Sequence, residues 1–159
     1  MRPPHSDRLR APWYASHHPV GELMWRHIMA VLVGLVCGMA LNTAIIQLNS
    51  TVFFPMPPVL DPNDPAQFNA YLETLPQLAF VPVLFAHLGQ AFVGGWVAAR
   101  LAPSHPMRHA LIIGVISLIG GIVAMTMFDG PTWLAIELPL YITFGWAAGR
   151  LETRRREAL

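Results

Sequence analysis

Four apolar runs divide the chain, at residues 28–48, 78–99, 110–128 and 132–149, and almost no charge falls inside them. Each is about 18–22 residues long, enough at 1.5 Å per residue to cross roughly 30 Å of hydrocarbon. The pattern predicts an all-α membrane protein, an antiparallel bundle of four transmembrane helices. The first run is too long for the apolar core of a signal peptide and lacks a convincing small-residue cleavage site, so it is expected to remain as a span. Residues 1–24 combine Arg2, Arg8 and Arg10 with several prolines and no apolar periodicity, and are expected to form a mobile cytoplasmic arm. Residues 25–151 then make up the membrane domain, and residues 152–159 a basic tail.

Between the first two runs lies a loop, residues 49–77, with a pattern of its own. Phe54-Pro55-Met56-Pro57-Pro58 is expected to be extended, because proline fixes φ and pushes the residue before it out of the helical region. Asp64-Pro65-Ala66-Gln67 then reads as a helix start, with Asp64 as N-cap, Pro65 in the first turn and Gln67 closing a capping box. Phe68, Tyr71, Leu72 and Leu75 follow at i, i+3, i+4 and i+7, with Gln67, Asn69, Glu73 and Thr74 between them. The spacing predicts a short amphipathic helix over residues 65–75, lying on the membrane surface or capping the bundle, and ended by Pro76.

Charge supplies the orientation. All ten basic residues are Arg, and they flank the runs on one side only: Arg2, Arg8, Arg10 and Arg26 before the first, Arg100 and Arg108 between the second and third, Arg150 and Arg154–Arg156 after the fourth. The other two loops carry Asp61, Asp64, Glu73 and Asp129 and no positive charge. The positive-inside rule then makes both termini cytoplasmic and residues 49–77 external. Trp25, Trp96 and Trp146 fall near the inner boundary and Trp133 near the outer one, as headgroup-level rings do. A chain 54% hydrophobic and 12% charged departs from the quarter or so of charged residues in soluble proteins. The absence of Lys beside abundant Ala, Gly and Pro suggests a GC-rich bacterial genome, hence the bacterial inner membrane, with the lipid bilayer as the first partner. A net charge of +1 argues against nucleic acid as another.

The second and fourth runs end alike, Gly95-Trp96-Val97-Ala98-Ala99-Arg100-Leu101 against Gly145-Trp146-Ala147-Ala148-Gly149-Arg150-Leu151, and the first and third both open on Arg-His, at Arg26-His27 and Arg108-His109. Two hairpins related by an axis along the membrane normal would give this pattern. So would the ordinary tendency of inward-leaving spans to end in small residues, Trp and Arg. The offset that matches the second and fourth runs also aligns His87 with Glu137.

Glu137 is the residue most open to a functional reading. It lies about five residues inside the fourth span, where an ionised carboxylate costs on the order of 3 kcal/mol on insertion scales. It is expected to face the bundle interior, beside a backbone break at Pro139. One reading is a proton or cation site, the other a carboxyl that glues helices together by hydrogen bonds. Counting along straight helices makes Asn42 its first candidate partner, with His87 and Gln90 next, and sets His87 more than a turn away in depth. His27 and His109 sit at the inner boundary, not at matched mid-membrane depth, which excludes haem on the usual two-His pattern. Asp61-Pro62-Asn63-Asp64-Pro65 lacks the spacing of a calcium loop, and His17-His18 lacks further ligands, so neither a metal nor another cofactor is expected. No nucleophile elbow, zinc-protease or P-loop motif occurs, and no catalytic residue is assigned. Cys37 reads as a small core residue. Gly34 with Gly38, Ala91 with Gly95, Gly145 with Gly149, and the pairs Gly94-Gly95 and Gly120-Gly121 have the spacing of close helix packing, within the chain or against itself or another membrane protein.

Phe54-Pro55-Met56-Pro57-Pro58 leading into Asp61-Pro62-Asn63-Asp64-Pro65 and Tyr71, then Ala86-His87 and Phe92-Val93-Gly94-Gly95, resembles a family of small bacterial inner-membrane proteins. The resemblance covers nearly everything from the first span onward and implies a four-helix membrane fold without implying an activity. The function expected first is that of an accessory or assembly-type subunit acting through helix contacts. A small proton-coupled transporter or permease subunit centred on Glu137 comes second, and an intramembrane enzyme third. The first two differ in a visible property. A transporter needs a cavity reaching Glu137, whereas an accessory protein is packed dry and turns a small-residue face outward.

Overall fold

The computed structural model describes residues 20–159, which fold into five α-helices with no strand among them. They are α1 (Val20–Leu48), α2 (Pro65–Thr74), α3 (Val81–Leu101), α4 (Pro106–Met127) and α5 (Glu137–Glu157). A π turn, Asn49–Phe53, extends α1, and 3-10 turns at Gln77–Phe80 and Thr132–Ile136 lead into α3 and α5. Three helical segments, Gly21–Phe53, Gln77–Leu101 and Pro106–Met127, are long and apolar enough to cross a membrane. The fourth long helix, α5, is the most polar, opening on Glu137 and closing on Arg154–Arg156.

Two boundaries differ from expectation. Val20–Met24, assigned to the arm, are helical, while the rest of the arm, with His17-His18, lies outside the described residues. At its other end the first helix continues past Leu48 to Phe53. There the Thr51 hydroxyl donates to the carbonyl of Gln47 at 2.6 Å, a local bond that competes with the backbone ladder and accompanies the widened turn. Pro55, Pro57 and Pro58 then prevent any further helix.

The interior is made of small residues. Ala30, Gly34 and Gly38 line up on α1 against Gly94 and Ala98 of α3, and Ala110 and Gly114 of α4 meet Gly145, Ala148 and Gly149 of α5. A Cβ on Gly34 would lie 2.5 Å from the carbonyl oxygen of Gly94, so the two backbones touch where only glycine fits. Large apolar side chains point outward instead: Leu32, Val36 and Met39 on α1, Ile112, Ile119 and Val123 on α4. Small residues inside and branched ones outside is the arrangement expected where lipid, not water, surrounds the helices. Seven of the glycines named for packing are buried in this seam; Gly120 is not, and a Cβ there would meet nothing within 4 Å.

The loop helix α2 forms as its sequence implies. Asp64 caps it, its carboxylate accepting from the backbone of Ala66 at 3.0 Å and of Gln67 at 3.4 Å, with Pro65 in the first turn. Gln67 donates to the Asp64 carboxylate at 2.7 Å instead of closing a capping box, and this bond holds the Asp64 carboxyl below its ordinary range. Phe68, Tyr71, Leu72 and Leu75 are half-buried while Glu73 is exposed. The helix is tied over the bundle: Asn69 donates to the carbonyl of Met127 and accepts from the amide of Asp129, Phe68 packs edge-on to Phe128, and the Tyr71 hydroxyl donates to the carbonyl of Phe54.

The opposite end holds an ionic cluster that the sequence reading did not single out. Glu152 is completely buried, and its carboxylate accepts from Arg155 at 2.7 and 2.8 Å and from Arg156 at 3.0 Å, with Arg100 at 3.6 Å. Arg156 also donates to the carbonyls of Ala99 and Ala102, satisfying the exposed C-terminus of α3. The hydrogen bonds from Arg155, together with Arg156, hold the Glu152 carboxyl down at about 2, against the opposing effect of burial. The visible signal was Glu152 three and four residues before Arg155 and Arg156, which puts all three on one helix face.

Candidate functional site

Glu137 is only 1% exposed and is the one charged group in the N-terminal half of α5. Its carboxylate oxygen Oε2 is 2.8 Å from Nδ1 of His87, and the Tyr141 ring stands 6.5 Å from the imidazole. Two local devices place these groups. The 3-10 turn after Pro131 ends at Glu137, so the acid occupies the first position of α5, and a second 3-10 turn after Pro76 sets the start of α3. Between α3 and α5 the Gly95–Ala148 contact lets the two helices approach closely enough for one hydrogen bond to span them.

Asn42, the first expected partner, does not hold Glu137; His87 does. The antiparallel register of α1 on α3 runs from Gly34 at Gly94 through Gly38 at Gln90 to Asn49 at Ala79, which brings Asn42 level with His87. Its side-chain oxygen is nonetheless buried without a partner in the protein. Gln90 packs against Gly38 and makes no hydrogen bond with the acid among those found. The depth count that separated His87 from Glu137 assumed helices entering at one level, and α3 and α5 do not.

A cavity of about 760 Å³ opens beneath α2 and reaches the pair. Its walls are apolar and aromatic, with Phe54, Phe68, Tyr71, Leu72, Phe80 and Phe128 among them, and its polar groups are few: His87, Glu137, Asn49, Gln47, Ser50 and Thr132. That is the size and make-up of a site for one small molecule, whose apolar surface the walls take up and whose polar group the few converging side chains orient. Asn49 is 7% exposed; its amide nitrogen donates to the carbonyl of Ala79 at 3.0 Å, leaving its side-chain oxygen buried and unbonded. Burial also raises the Tyr71 hydroxyl above its usual range, so at neutral pH it is a donor or acceptor and not a charge.

At the arginine-bearing end His27 and His109 meet, Nδ1 to Nε2, at 2.9 Å with their rings stacked. His109 Nδ1 donates to the carbonyl of His105, so Nε2 of His109 accepts and Nδ1 of His27 donates. Among the described residues no three His, Cys, Asp or Glu are grouped to hold a metal ion. Comparison of the chain with protein-family models, with curated proteins and with solved structures finds no match.

Proposed function

We propose that this chain is a four-span protein of the bacterial inner membrane, with both termini cytoplasmic and α2 external, and that it works as a small proton-coupled transporter or permease subunit. The observation that carries the reading is the apolar cavity that runs from beneath α2 to the His87–Glu137 pair. A carboxyl at its floor, hydrogen-bonded to an imidazole, can hold or release a proton as a ligand arrives, which is how ionisable groups inside membranes serve transport. The accessory reading loses its support from packing. It expects a dry interior and small residues on an outer face, whereas Gly34, Gly38, Gly94, Gly95, Gly145 and Gly149 are consumed within the chain. The fourth span in this reading is the 3-10 turn with the apolar first half of α5, and the Glu152 cluster closes the cytoplasmic end.

The test is binding in mild detergent of N-phenyl-1-naphthylamine, a neutral lipophile that brightens in apolar sites, to the wild-type protein and to Ala124→Trp, which fills the cavity from α4 without touching the pair. Binding that the indole blocks supports the reading. No binding, or binding indifferent to the substitution, rejects it. Reporter fusions after residue 159 and within residues 49–77 check orientation; an external C-terminus would overturn the topology.

A further inference from the structure

We infer that the ligand is a lipophilic amine taken up as its monocation, that its ammonium group seats on Glu137, and that it displaces the single proton held by the His87–Glu137 pair. This rests on the cavity reading above and adds the ligand's charge and the exchange. Among the residues lining the cavity Glu137 is the one carboxylate, and no arginine is present. The described arginines are all at the far end of the bundle, at Arg26, Arg100, Arg108, Arg150 and Arg154–Arg156. An anionic ligand would find no cation to meet it. An ammonium finds one formal counter-charge, the Glu137 carboxylate. Asn49 is fixed at Ala79 and Glu137 at His87, and the eight residues between those anchors, running from the 3-10 turn into α3, amount to about 12 Å. Phe68, Tyr71 and Phe80 are in the lining, and aromatic π-systems attract a cation where they would not attract an anion of the same shape.

Charge conservation in the cavity supplies the exchange. When the pair carries one titratable proton, His87 and Glu137 are neutral together, either as carboxylic acid with imidazole or as carboxylate with imidazolium, and both forms fit their 2.8 Å contact. An arriving ammonium would add an uncompensated charge to a low-dielectric site, which is costly. If the shared proton leaves to water as the ammonium binds, the site passes from a protonated neutral pair to a carboxylate paired with the ligand cation. One positive charge enters, one leaves, and no bond other than that to the proton is broken. The groups facing the pair do not disturb the count: Tyr141 from α5 and Tyr71 from α2 are neutral phenols, α1 offers Asn42, Gln47 and Asn49, and α4 brings no charge to the cavity lining. Glu73 and Asp129 are absent from the cavity lining and lie beside it, around a small adjoining pocket that shares Leu72, Leu75, Phe80, Gly130 and Pro131 with it.

The experiment uses three isosteric probes on the full chain in detergent: 1-adamantylammonium, 1-adamantanol and 1-adamantanecarboxylate, measured by titration calorimetry from pH 5.5 to 8.5. The amine stays protonated throughout, since such amines titrate near pH 10. The ammonium is expected to bind more tightly than the alcohol, and the carboxylate not at all. Its affinity should rise about tenfold per pH unit while the pair holds its proton, as release of one proton per ligand requires. Repeating the titration in buffers of different ionisation enthalpy should count that proton directly. Glu137→Gln should remove the pH dependence. Equal binding of all three probes, preference for the carboxylate, or a pH-independent affinity for the ammonium would overturn the inference and leave the cavity reading standing. Failure of all three, together with failure of the neutral naphthylamine, would overturn both.

Discussion

Two glutamates lie buried in this bundle, one at each end, and they are furnished in opposite ways. Glu152 has three arginines around it, two of them in direct hydrogen bonds, and its carboxyl is held ionised down to about pH 2. Glu137 has no arginine beside it, only the His87 imidazole and the Tyr141 phenol, and although 1% exposed it lies in the wall of a cavity. A buried charge that is fully paired has no capacity left to interact with anything else, so Glu152 is a fastener that ties α5 to the end of α3. A buried acid whose neighbours are an imidazole and a phenol, and which lines a cavity, keeps that capacity. The contrast extends to the halves in which they sit: the arginine end is sealed by glycine and alanine contacts, while the lid end is propped open beneath α2.

The comparison breaks most directly at Glu152. Glu152→Leu leaves Arg155 and Arg156 without their acceptor, and because those two side chains are 38% and 30% exposed and can turn to water, the loss is that of charge-assisted hydrogen bonds, about 1.5–3 kcal/mol. Thermal unfolding in detergent should show the largest loss of any single substitution considered. A midpoint within a degree or two of wild type would mean that the cluster is solvated and not a fastener. Acidification probes the same group. Because its folded carboxyl titrates at about 2 and its unfolded one at 4.5, the stabilisation is complete above pH 4.5 and is lost as pH falls from there toward 2. The unfolding midpoint of the wild type should therefore drop across that window, and that of Glu152→Gln should drop less.

Next in size is the seam. Gly34→Ala places a methyl group 2.5 Å from the carbonyl oxygen of Gly94 and 2.7 Å from the Ala98 methyl, so α1 must move away from α3, at about 1–3 kcal/mol for overpacking. Gly120→Ala, with nothing within 4 Å, should be neutral or raise stability by up to about 1 kcal/mol through helix propensity. Equal effects from the two would contradict the inward placement of the small residues. On the lid side the figure is smaller again: Asp64→Ala removes the cap of α2 at about 1 kcal/mol. That loss should appear as faster amide exchange in residues 65–75 and leave the global midpoint nearly unchanged, because α2 sits over the bundle and not within it.

Much of the helical architecture was legible because apolar run length and the Asp64-Pro65 start each depend on residues near one another in the chain. The site was only partly legible. Glu137 stood out by its cost, but its partner depended on the relative depth of two helices, which counting from approximate span ends cannot fix to within a turn. The alignment of Gly95-Trp96 with Gly145-Trp146 was the better guide, since it matched His87 with Glu137, and those two residues are in contact. His27 and His109, matched by the Arg-His that opens the first and third spans, also touch. The Glu152 cluster was overlooked because Arg154–Arg156 already had a reason to be there, as the positive-inside tail.

A small expected effect on stability is also the one that separates the two acids most sharply. Glu137→Gln keeps a side chain of the same shape that can still donate to or accept from His87, so the helix contact survives, and the unfolding midpoint should shift by less than about 1 kcal/mol, in line with single interhelical hydrogen bonds in membranes. Glu152→Gln, by the same chemical change, strips the charge from a site with three guanidinium groups around it and should cost several times more. The ranking reverses when the readout is ligand. Glu137→Gln can no longer form a carboxylate and so should lose proton-linked binding of the adamantyl amine, whereas Glu152→Gln, remote from the cavity lining, should retain it at temperatures where it is folded. If both substitutions destabilise equally and both leave binding intact, Glu137 is a second fastener, and the distinction between the two ends of the bundle fails at the residue on which it rests.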